Sequence, residues 1–263
     1  MNRNLPAATN LRPVLEFKGV TKRFGGITAC RDISFTLGEG CIMGLIGPDG
    51  AGKTTALDLI CGVHGPTKGA ILFNGQAIHG KRPDQIVRLG ISRTSRTIRL
   101  FQHLSVLENV CVAVDCREAS MLGPARLRPR NGRPREQAIR EQAMEFLAAV
   151  GLEDQAPARA DAMPCSLQRR LEIARALALE PRLLLLDEPA AGMNPEEALE
   201  LAGLIRDLHR QFRLTTLLTG HPADVVLSLC ERTCVMDSGR RMPPGPELQE
   251  TPTAAMSPLF PRH

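Results

Sequence analysis

The stretch GPDGAGKTT, residues 47–55, decides how the rest of the sequence is interpreted. It fits the pattern G-x-x-x-x-G-K-[ST], in which glycines let consecutive backbone N–H groups point at phosphate oxygens. The apolar run CIMGLIG precedes it, and a helix is predicted from Gly52 to about Cys61, with its positive dipole end at the phosphates. A chance match in a glycine-rich turn is the alternative, but the flanking strand and helix favour a phosphate loop.

Each residue of this loop has an expected role. Lys53 is expected to reach the β- and γ-phosphates, and the hydroxyl of Thr54 is expected to ligate Mg²⁺. The predicted nucleotide contacts are the whole loop, namely Gly47, Pro48, Asp49, Gly50, Ala51, Gly52, Lys53, Thr54 and Thr55. The motif therefore predicts a nucleotide and Mg²⁺ as ligands.

A second motif, LLLLDEP at residues 183–189, places two carboxylates at the end of a predicted buried strand. Asp187 can hold Mg²⁺ directly or through water, and Glu188 can orient and polarise the water that attacks the γ-phosphate. His221 follows another predicted strand, LTTLLTG, and can hold the same water. The alternatives are a solvated strand edge or helix cap for the carboxylates, and a structural or surface role for the histidine.

The remaining sequence alternates between strand and helix patterns. Short apolar runs from Val14 and a hairpin centred on Asn-Gly in residues 69–78 come first. Helices are predicted at residues 135–150 and 195–210, and strands at 183–187 and 214–220. This alternation predicts an α/β fold with a mostly parallel sheet covered by helices. Residues 1–12 are predicted to be an N-terminal tail, and residues 241–263 a Pro-rich C-terminal tail.

Bulk composition narrows the class of protein. The 263 residues are 43% hydrophobic and carry a formal net charge of +5, which suits a phosphate-bearing partner without singling out nucleic acid. Eight cysteines include no Cys-x-x-Cys pair, so we expect reduced, buried thiols in a cytosolic protein. No apolar run approaches the roughly 20 residues that cross a bilayer, and the first residues lack the apolar stretch of a signal peptide. We therefore expect membrane contact only through a partner.

Over residues 14 to 250 the sequence resembles the ABC ATPase family, and most of all the LivG-type ATP-binding subunits of branched-chain (hydrophobic) amino acid importers. Four stretches carry the resemblance: KRFGGITA (22–29), IGPDGAGKTT (46–55), RTSRTIRLFQHLSVLENV (93–110) and RRLEIARALALEPRLLLLDEPAAGMNP (169–195). The resemblance implies a P-loop NTPase (RecA-like) core with an antiparallel β-subdomain and an inserted α-helical subdomain. It puts the ABC ATPase domain at residues 13–240 and the helical subdomain at about 97–178.

The resemblance also implies partners and ligands. Phe24 would stack on adenine, and AAGMNP (190–195) would touch a second subunit. The ligands would be ATP and Mg²⁺, with hydrolysis coupled to transport. The partners would be a second ABC ATPase subunit, identical or different, and a transmembrane permease. The chain would lie peripherally on the cytoplasmic face of the inner (plasma) membrane and would bind no nucleic acid.

Two segments depart from the family pattern. Arg96 occupies the place of a Gln that senses Mg²⁺ and the lytic water; a guanidinium cannot ligate Mg²⁺ but can pair with a phosphate. This predicts tighter nucleotide binding and slower turnover. The signature motif LSxGQ is replaced by Met163-Pro164-Cys165-Ser166-Leu167, and Pro164 removes both a hydroxyl and a backbone N–H.

In the family, the signature closes over the nucleotide held by the opposite subunit. A heterodimer would then have one poor site, made by this segment and the partner's phosphate loop. A nucleotide-binding regulatory subunit with little hydrolysis is the alternative. A third reading, an ABC ATPase working on DNA or ribosomes, is disfavoured because the chain has neither tandem nucleotide domains nor a long coiled coil.

The segment from Arg117 to Arg135 is rich in Arg, Pro and Gly, and two interpretations stay open. The favoured one is an exposed, solvated loop. The other is a contact with the permease or with anionic lipid headgroups, which attract clusters of basic residues.

Overall fold

The computed structural model describes residues 12–121, 133–221 and 225–243. In chain order its strands and helices are β1 (Pro13–Phe24), β2 (Ile27–Gly38), β3 (Ile42–Ile46), α1 (Lys53–Ile60), β4 (Lys68–Phe73), β5 (Gln76–Ala77), α2 (Pro83–Arg88), β6 (Ile91–Thr94), α3 (Val106–Met121), α4 (Arg133–Ala149), α5 (Cys165–Leu177), β7 (Leu183–Asp187), α6 (Pro195–Phe212), β8 (Thr215–Gly220), β9 (Arg232–Asp237) and β10 (Arg240–Arg241).

The first sheet is antiparallel and has the order β2-β1-β4-β5. Its two long strands pair Phe17 with Phe35, whose rings stack 4.5 Å apart on the buried face. Between β4 and β5, Asn74 and Gly75 both have positive φ, which is what a two-residue hairpin turn requires. The Asn-Gly hairpin predicted from the sequence is confirmed.

The second sheet has the order β10-β9-β3-β8-β7-β6, and its five strands from β9 to β6 run parallel. All residues of β3, β7 and β8 are buried, as expected for strands covered on both faces. Together with the antiparallel sheet, this parallel core confirms the predicted α/β fold. The strands β6 and β9 and the helix α2 lay outside the sequence-based predictions.

Helices α3, α4 and α5 lie between β6 and β7 in the chain and share a hydrophobic cluster. Buried residues of this cluster include Val110, Phe146, Leu147 and Leu171, which pack next to the buried face of β7. The described parts of the chain contain no helix long and apolar enough to span a bilayer. The domain boundaries assigned from the resemblance stay a prediction.

The predicted exposed loop from Arg117 to Arg135 is wrong at both ends. Helix α3 continues to Met121, and α4 already begins at Arg133. The Arg117 side chain is buried and donates hydrogen bonds to the Ala178 carbonyl (3.1 Å) and to the Glu180 carboxylate (2.5 Å). Arg117 is therefore not available to lipid headgroups; residues 122–132 lie outside the described residues.

All eight cysteines are free thiols, as expected, but they are not all buried. Cys30 and Cys234 lie in the core, where burial raises the pKa of each thiol to about 11. Cys116 and Cys165 are exposed, which corrects the expectation of uniformly buried thiols.

Candidate nucleotide-binding site

The carboxyl ends of three neighbouring parallel strands meet at one edge of the core sheet. In the register of the sheet, Ile46 at the end of β3 pairs with Gly220, and Asp187 at the end of β7 pairs with Thr219. The phosphate loop follows β3, Glu188 follows β7, and His221 follows β8. Ligands of open α/β sheets bind at this edge, so the fold brings the predicted site residues to one place.

The phosphate loop is shaped by positions that exclude a side chain. A Cβ at Gly47 would lie 2.1 Å from the Met236 carbonyl oxygen, and one at Gly52 would lie 2.3 Å from the Ala29 carbonyl oxygen. Gly52 also has φ of 98°, a conformation that disfavours other residues. Helix α1 then begins without a side-chain cap, so the N–H groups of its first turn are available to an anionic ligand.

Lys53 lies inside this loop with a side chain that is only 5% exposed. Its Nζ donates to the carbonyl oxygens of Gly47 (2.6 Å) and Pro48 (3.1 Å), and lies 3.7 Å from Glu188 Oε1. The ammonium group is thus held inside the loop, where the oxygens of a bound phosphate would replace its carbonyl partners, Gly47 and Pro48.

The two carboxylates of the second motif have different surroundings. Asp187 is 1% exposed, and its Oδ1 accepts a hydrogen bond from the Thr219 hydroxyl (2.8 Å). Thr219 Oγ1 in turn accepts the backbone N–H of Glu188 (3.0 Å). Glu188 has φ of 45°, a left-handed conformation that costs about 1 kcal/mol in a residue other than glycine. In this conformation the Glu188 carboxylate lies 3.7 Å from Lys53 Nζ.

Arg96 pairs directly with Glu188. Its Nε lies 2.9 Å from Glu188 Oε2, and its Nη1 lies 3.7 Å from Asp49 Oδ1. The sequence indicated that Arg96 can pair with a phosphate; in this structure its guanidinium contacts the carboxylate predicted to polarise water. Glu188 is therefore held between two cations, Lys53 and Arg96.

Helix α5 fixes the backbone that carries Arg96. Arg169 donates to the carbonyl oxygens of Ser95 (2.6 Å) and Arg96 (2.8 Å), and pairs with Glu172 (2.7 Å). Glu172 accepts the N–H of Arg99 (2.7 Å). Burial raises the pKa of Glu172. Removing one partner of such a buried ion pair costs about 3–5 kcal/mol, so residues 95–99 are firmly attached to α5.

The replaced signature segment forms the start of α5. Pro164 is the N-cap residue and provides no side-chain hydrogen bond to the first turn, and Cys165 is exposed. Among the described residues, no hydrogen bond or ion pair joins residues 163–167 to the phosphate loop. The structure thus leaves this segment out of the site formed by Lys53, Asp187 and Glu188.

Three other predicted site residues are at the surface. Phe24 is 41% exposed, contacts His64 edge-on at 5.0 Å, and has Lys22 Nζ at 4.8 Å from its ring centre. Thr54 on α1 and His221 after β8 are also exposed. All three can be reached by a ligand, which is compatible with the contacts predicted for them.

The donor set suits Mg²⁺. The hydroxyl of Thr54 and the carboxylate of Asp187 are hard oxygen donors, and Mg²⁺ commonly takes only one or two protein ligands beside phosphates and waters. The described residues contain no cluster of three or more His, Cys, Asp or Glu that could hold an ion alone. A site completed by phosphate oxygens is therefore the arrangement that these residues can form.

Sequence reasoning missed Thr219, Asp58 and Arg93. Thr219 faces Asp187 from the next strand, and Arg93 lies between Asp58 and Asp187 at 2.6 Å from each. The position of Thr219 two residues before His221 was a usable signal, because alternate residues of a strand share a face. The contacts of Arg93 join three segments that are far apart in the chain, so no pattern of neighbouring residues predicts them.

Comparison with known proteins agrees with this geometry. Residues 30–191 match the family described as ABC transporter. The chain is 36% identical over 228 residues to the high-affinity branched-chain amino acid transport ATP-binding protein LivG of Escherichia coli K12, covering 87% of this chain and 89% of LivG. It is 36% identical over 234 residues to BraF of Pseudomonas aeruginosa, a protein of the same description, covering 89% and 92%. The ADP conformation of MJ1267, an ATP-binding cassette of an ABC transporter, superposes with a TM-score of 0.75 at 26% identity over 88% of this chain and 89% of that one.

The fold and the phosphate-binding edge define an ATP-binding cassette. The chain belongs to the ABC transporter family. It is the ATP-binding subunit of a transporter, an ABC-type ATPase that energises transport. ABC ATPases bind ATP or ADP and form dimers within transporter complexes that include permease subunits.

Proposed function

We propose that this chain energises an importer of branched-chain or other hydrophobic amino acids. The observation that carries the substrate class is the 36% identity to LivG and BraF over most of all three chains. The phosphate loop and the paired carboxylates, at the ends of parallel strands, form the site proposed to hydrolyse ATP and so drive transport. The substrate itself would be selected by a permease and a binding protein.

Within the motor, each residue has a proposed task. Lys53 and the other residues of the loop 47–55 bind the phosphates of ATP, and Phe24 stacks on adenine. Thr54 and Asp187 hold Mg²⁺, which when bound offsets phosphate charge. Glu188 polarises the attacking water and His221 positions it. The convergence of Lys53 and Glu188, 3.7 Å apart at the strand ends, supports these assignments.

A cleft beside β6 supports the proposed contact with a permease. It has a volume of about 410 Å³ and is lined in part by Arg99, Phe101, Cys116, Glu172 and Arg175. Phe101 is 45% exposed and lies under the Arg175 guanidinium at 4.8 Å. An exposed aromatic ring beneath an arginine suits an amphipathic segment with a carboxylate. Such docking would place the chain peripherally on the cytoplasmic face of the inner membrane.

Transport by the assembled complex tests this proposal. Proteoliposomes containing the chain with its partner ATPase, neighbouring permease subunits and binding protein should take up radiolabelled leucine when ATP is enclosed. Lys53→Ala should abolish the uptake, while Lys18→Ala, an exposed lysine of β1, should leave it intact. Membrane assembly with ATP hydrolysis but without uptake of any hydrophobic amino acid would overturn the substrate class and leave the motor standing.

A second candidate function is a nucleotide-gated subunit that hydrolyses little ATP. The Arg96–Glu188 ion pair at 2.9 Å favours it, because the guanidinium competes with water for the carboxylate oxygen. The uncapped start of α5 at Pro164 favours it as well. The two candidate functions differ in the rate of ATP hydrolysis, which Glu188→Gln and Arg96→Gln are expected to change.

A further inference from the structure

Arg93 forms an ion-pair bridge between two elements of the site. From β6, its Nη1 lies 2.6 Å from Asp58 Oδ1 on α1, and its Nη2 lies 2.6 Å from Asp187 Oδ2 at the end of β7. The three side chains are 17%, 26% and 2% exposed. Burial opposes the charge on Arg93, but the hydrogen bonds to both carboxylates outweigh burial and raise its pKa.

The bridge completes the hydrogen bonding of Asp187. Oδ1 already accepts the Thr219 hydroxyl, and Arg93 engages Oδ2, so both carboxylate oxygens have a donor from the chain. A carboxylate held at both oxygens cannot rotate freely. It can still accept a hydrogen bond from water through its remaining lone pairs.

Asp58 places the guanidinium close to the metal-binding end of α1. Thr54 and Asp58 are four residues apart on α1, so their side chains lie on the same face of the helix. Arg93 therefore pairs with a side chain that lies one helical turn from Thr54, whose hydroxyl is proposed to ligate Mg²⁺. A unit positive charge there repels a divalent cation, and the negative charge of Asp58 partly cancels that repulsion.

We propose that Arg93 and Asp58 set the Mg²⁺ affinity of the site through their charges: the guanidinium paired with Asp187 lowers that affinity, and the Asp58 carboxylate partly offsets the effect. The inference deepens the proposed role of Asp187 and rests on it. Because the two side chains carry opposite charges, the removal of Arg93 and the removal of Asp58 have opposite effects on Mg²⁺ affinity. A purely structural bridge would weaken binding in the same direction with either change.

Calorimetric titration of ADP into the purified chain, at a series of free Mg²⁺ concentrations and in EDTA, tests the inference without hydrolysis. Arg93→Met should raise the apparent affinity for Mg²⁺ about fivefold, the size expected for a unit charge screened by water. Asp58→Asn should lower it about threefold by the same argument. ADP affinity in EDTA should change less than about twofold in both, since neither residue belongs to the phosphate loop.

The exposed pair Arg88 and Asp84 on α2, 3.9 Å apart, offers a matched control. Arg88→Met and Asp84→Asn make the same charge changes and should leave Mg²⁺ affinity unchanged. Thermal unfolding checks that each variant is folded; if Arg93→Met is not, Asp58→Asn and Arg93→Gln carry the test. Unchanged Mg²⁺ affinity in those folded variants, or shifts of the same sign for Arg93 and Asp58, would overturn the inference.

Asp187→Asn separates this inference from the proposed role beneath it. If Asp187→Asn abolishes the Mg²⁺ dependence of ADP binding while the Arg93 and Asp58 variants match wild type, only the bridge is wrong. If Asp187→Asn itself leaves the Mg²⁺ dependence intact, the assigned role of Asp187 is wrong and the inference falls with it.

Discussion

The edge of the core sheet and the start of α5 have diverged to different extents from the pattern of the family. At the sheet edge, Thr219 forms hydrogen bonds with Asp187 and with the backbone of Glu188, and Lys53 forms an ion pair with Glu188. At the start of α5, Pro164 leaves the first turn without a side-chain cap. In the family, the first region serves the chain's own nucleotide and the second serves that of the opposite subunit. A chain in a dimer can therefore retain the residues for its own nucleotide while losing those that contact the nucleotide of the opposite subunit.

The largest expected effect concerns the sheet edge. Glu188→Gln removes the charge proposed to polarise water and should lower ATP hydrolysis by the assembled dimer at least about 100-fold, as for other positioned bases. ATP affinity should stay within about threefold, because the Lys53 contacts to phosphate are retained. The rate of hydrolysis is measured by phosphate release, and the ATP affinity by equilibrium binding. Hydrolysis that persists in Glu188→Gln would mean that this region is not the active one.

A second expectation concerns the ion pair that restrains Glu188. Arg96→Gln frees the carboxylate and should raise hydrolysis about fivefold, equivalent to about 1 kcal/mol in the barrier. Arg88→Gln, at an exposed arginine outside the site, is the control. Steady-state ATPase assays of the dimer decide the matter. If Arg96→Gln binds ATP but neither it nor wild type hydrolyses it with any partner, the chain is a nucleotide-gated switch.

The start of α5 should respond more weakly. Pro164→Ser with Ser166→Gly restores a capping hydroxyl and should raise hydrolysis at the partner's phosphate loop about threefold, a gain of the order of one hydrogen bond. A Lys-to-Ala change in one phosphate loop at a time assigns the activity to each site. Equal rates at the two sites in the wild-type dimer would remove the asymmetry on which this comparison rests.

The smallest effect is protection of one thiol. Cys165 is exposed at the start of α5, and closure of a dimer over ATP should slow its alkylation about twofold to threefold in the Glu188→Gln background, a modest loss of exposure. Cys116, exposed on α3, provides the internal control, whose rate should not change without a permease. Mass spectrometry of timed iodoacetamide labelling gives both rates. If alkylation of Cys116 is slowed more than alkylation of Cys165, the dimer contact does not lie at the start of α5.

The parts of the site that sequence could predict are those coded by neighbouring residues. The phosphate loop, the Asp187–Glu188 pair and His221 each follow an apolar run, and parallel strands bring such ends together. The Asn-Gly turn likewise carries its own backbone preference. These features depend on local chemistry, and the fold confirms where they lie. The catalytic roles assigned to them stay predictions.

Contacts between distant segments were beyond the sequence. Arg96 meets Glu188, and Arg93 meets Asp58 and Asp187, across separations of 35 to 94 residues. Arg117 shows the converse error: a stretch rich in Arg, Pro and Gly suggested exposure, but a buried carbonyl and two side chains satisfy this guanidinium. Charge alone does not tell whether a long side chain faces water or a partner 61 residues away in the chain.

The hydrogen bonds that Arg169 donates to residues 95 and 96, and the one that Glu172 accepts from Arg99, have an evolutionary consequence. They attach the loop of Arg96 to the helix that begins at Pro164, so both departures from the family pattern lie on one connected body. Substitutions at the two positions should then be epistatic, since a change in one alters the selection on the other. Among related sequences, we expect serine at position 164 and glutamine at position 96 to occur together.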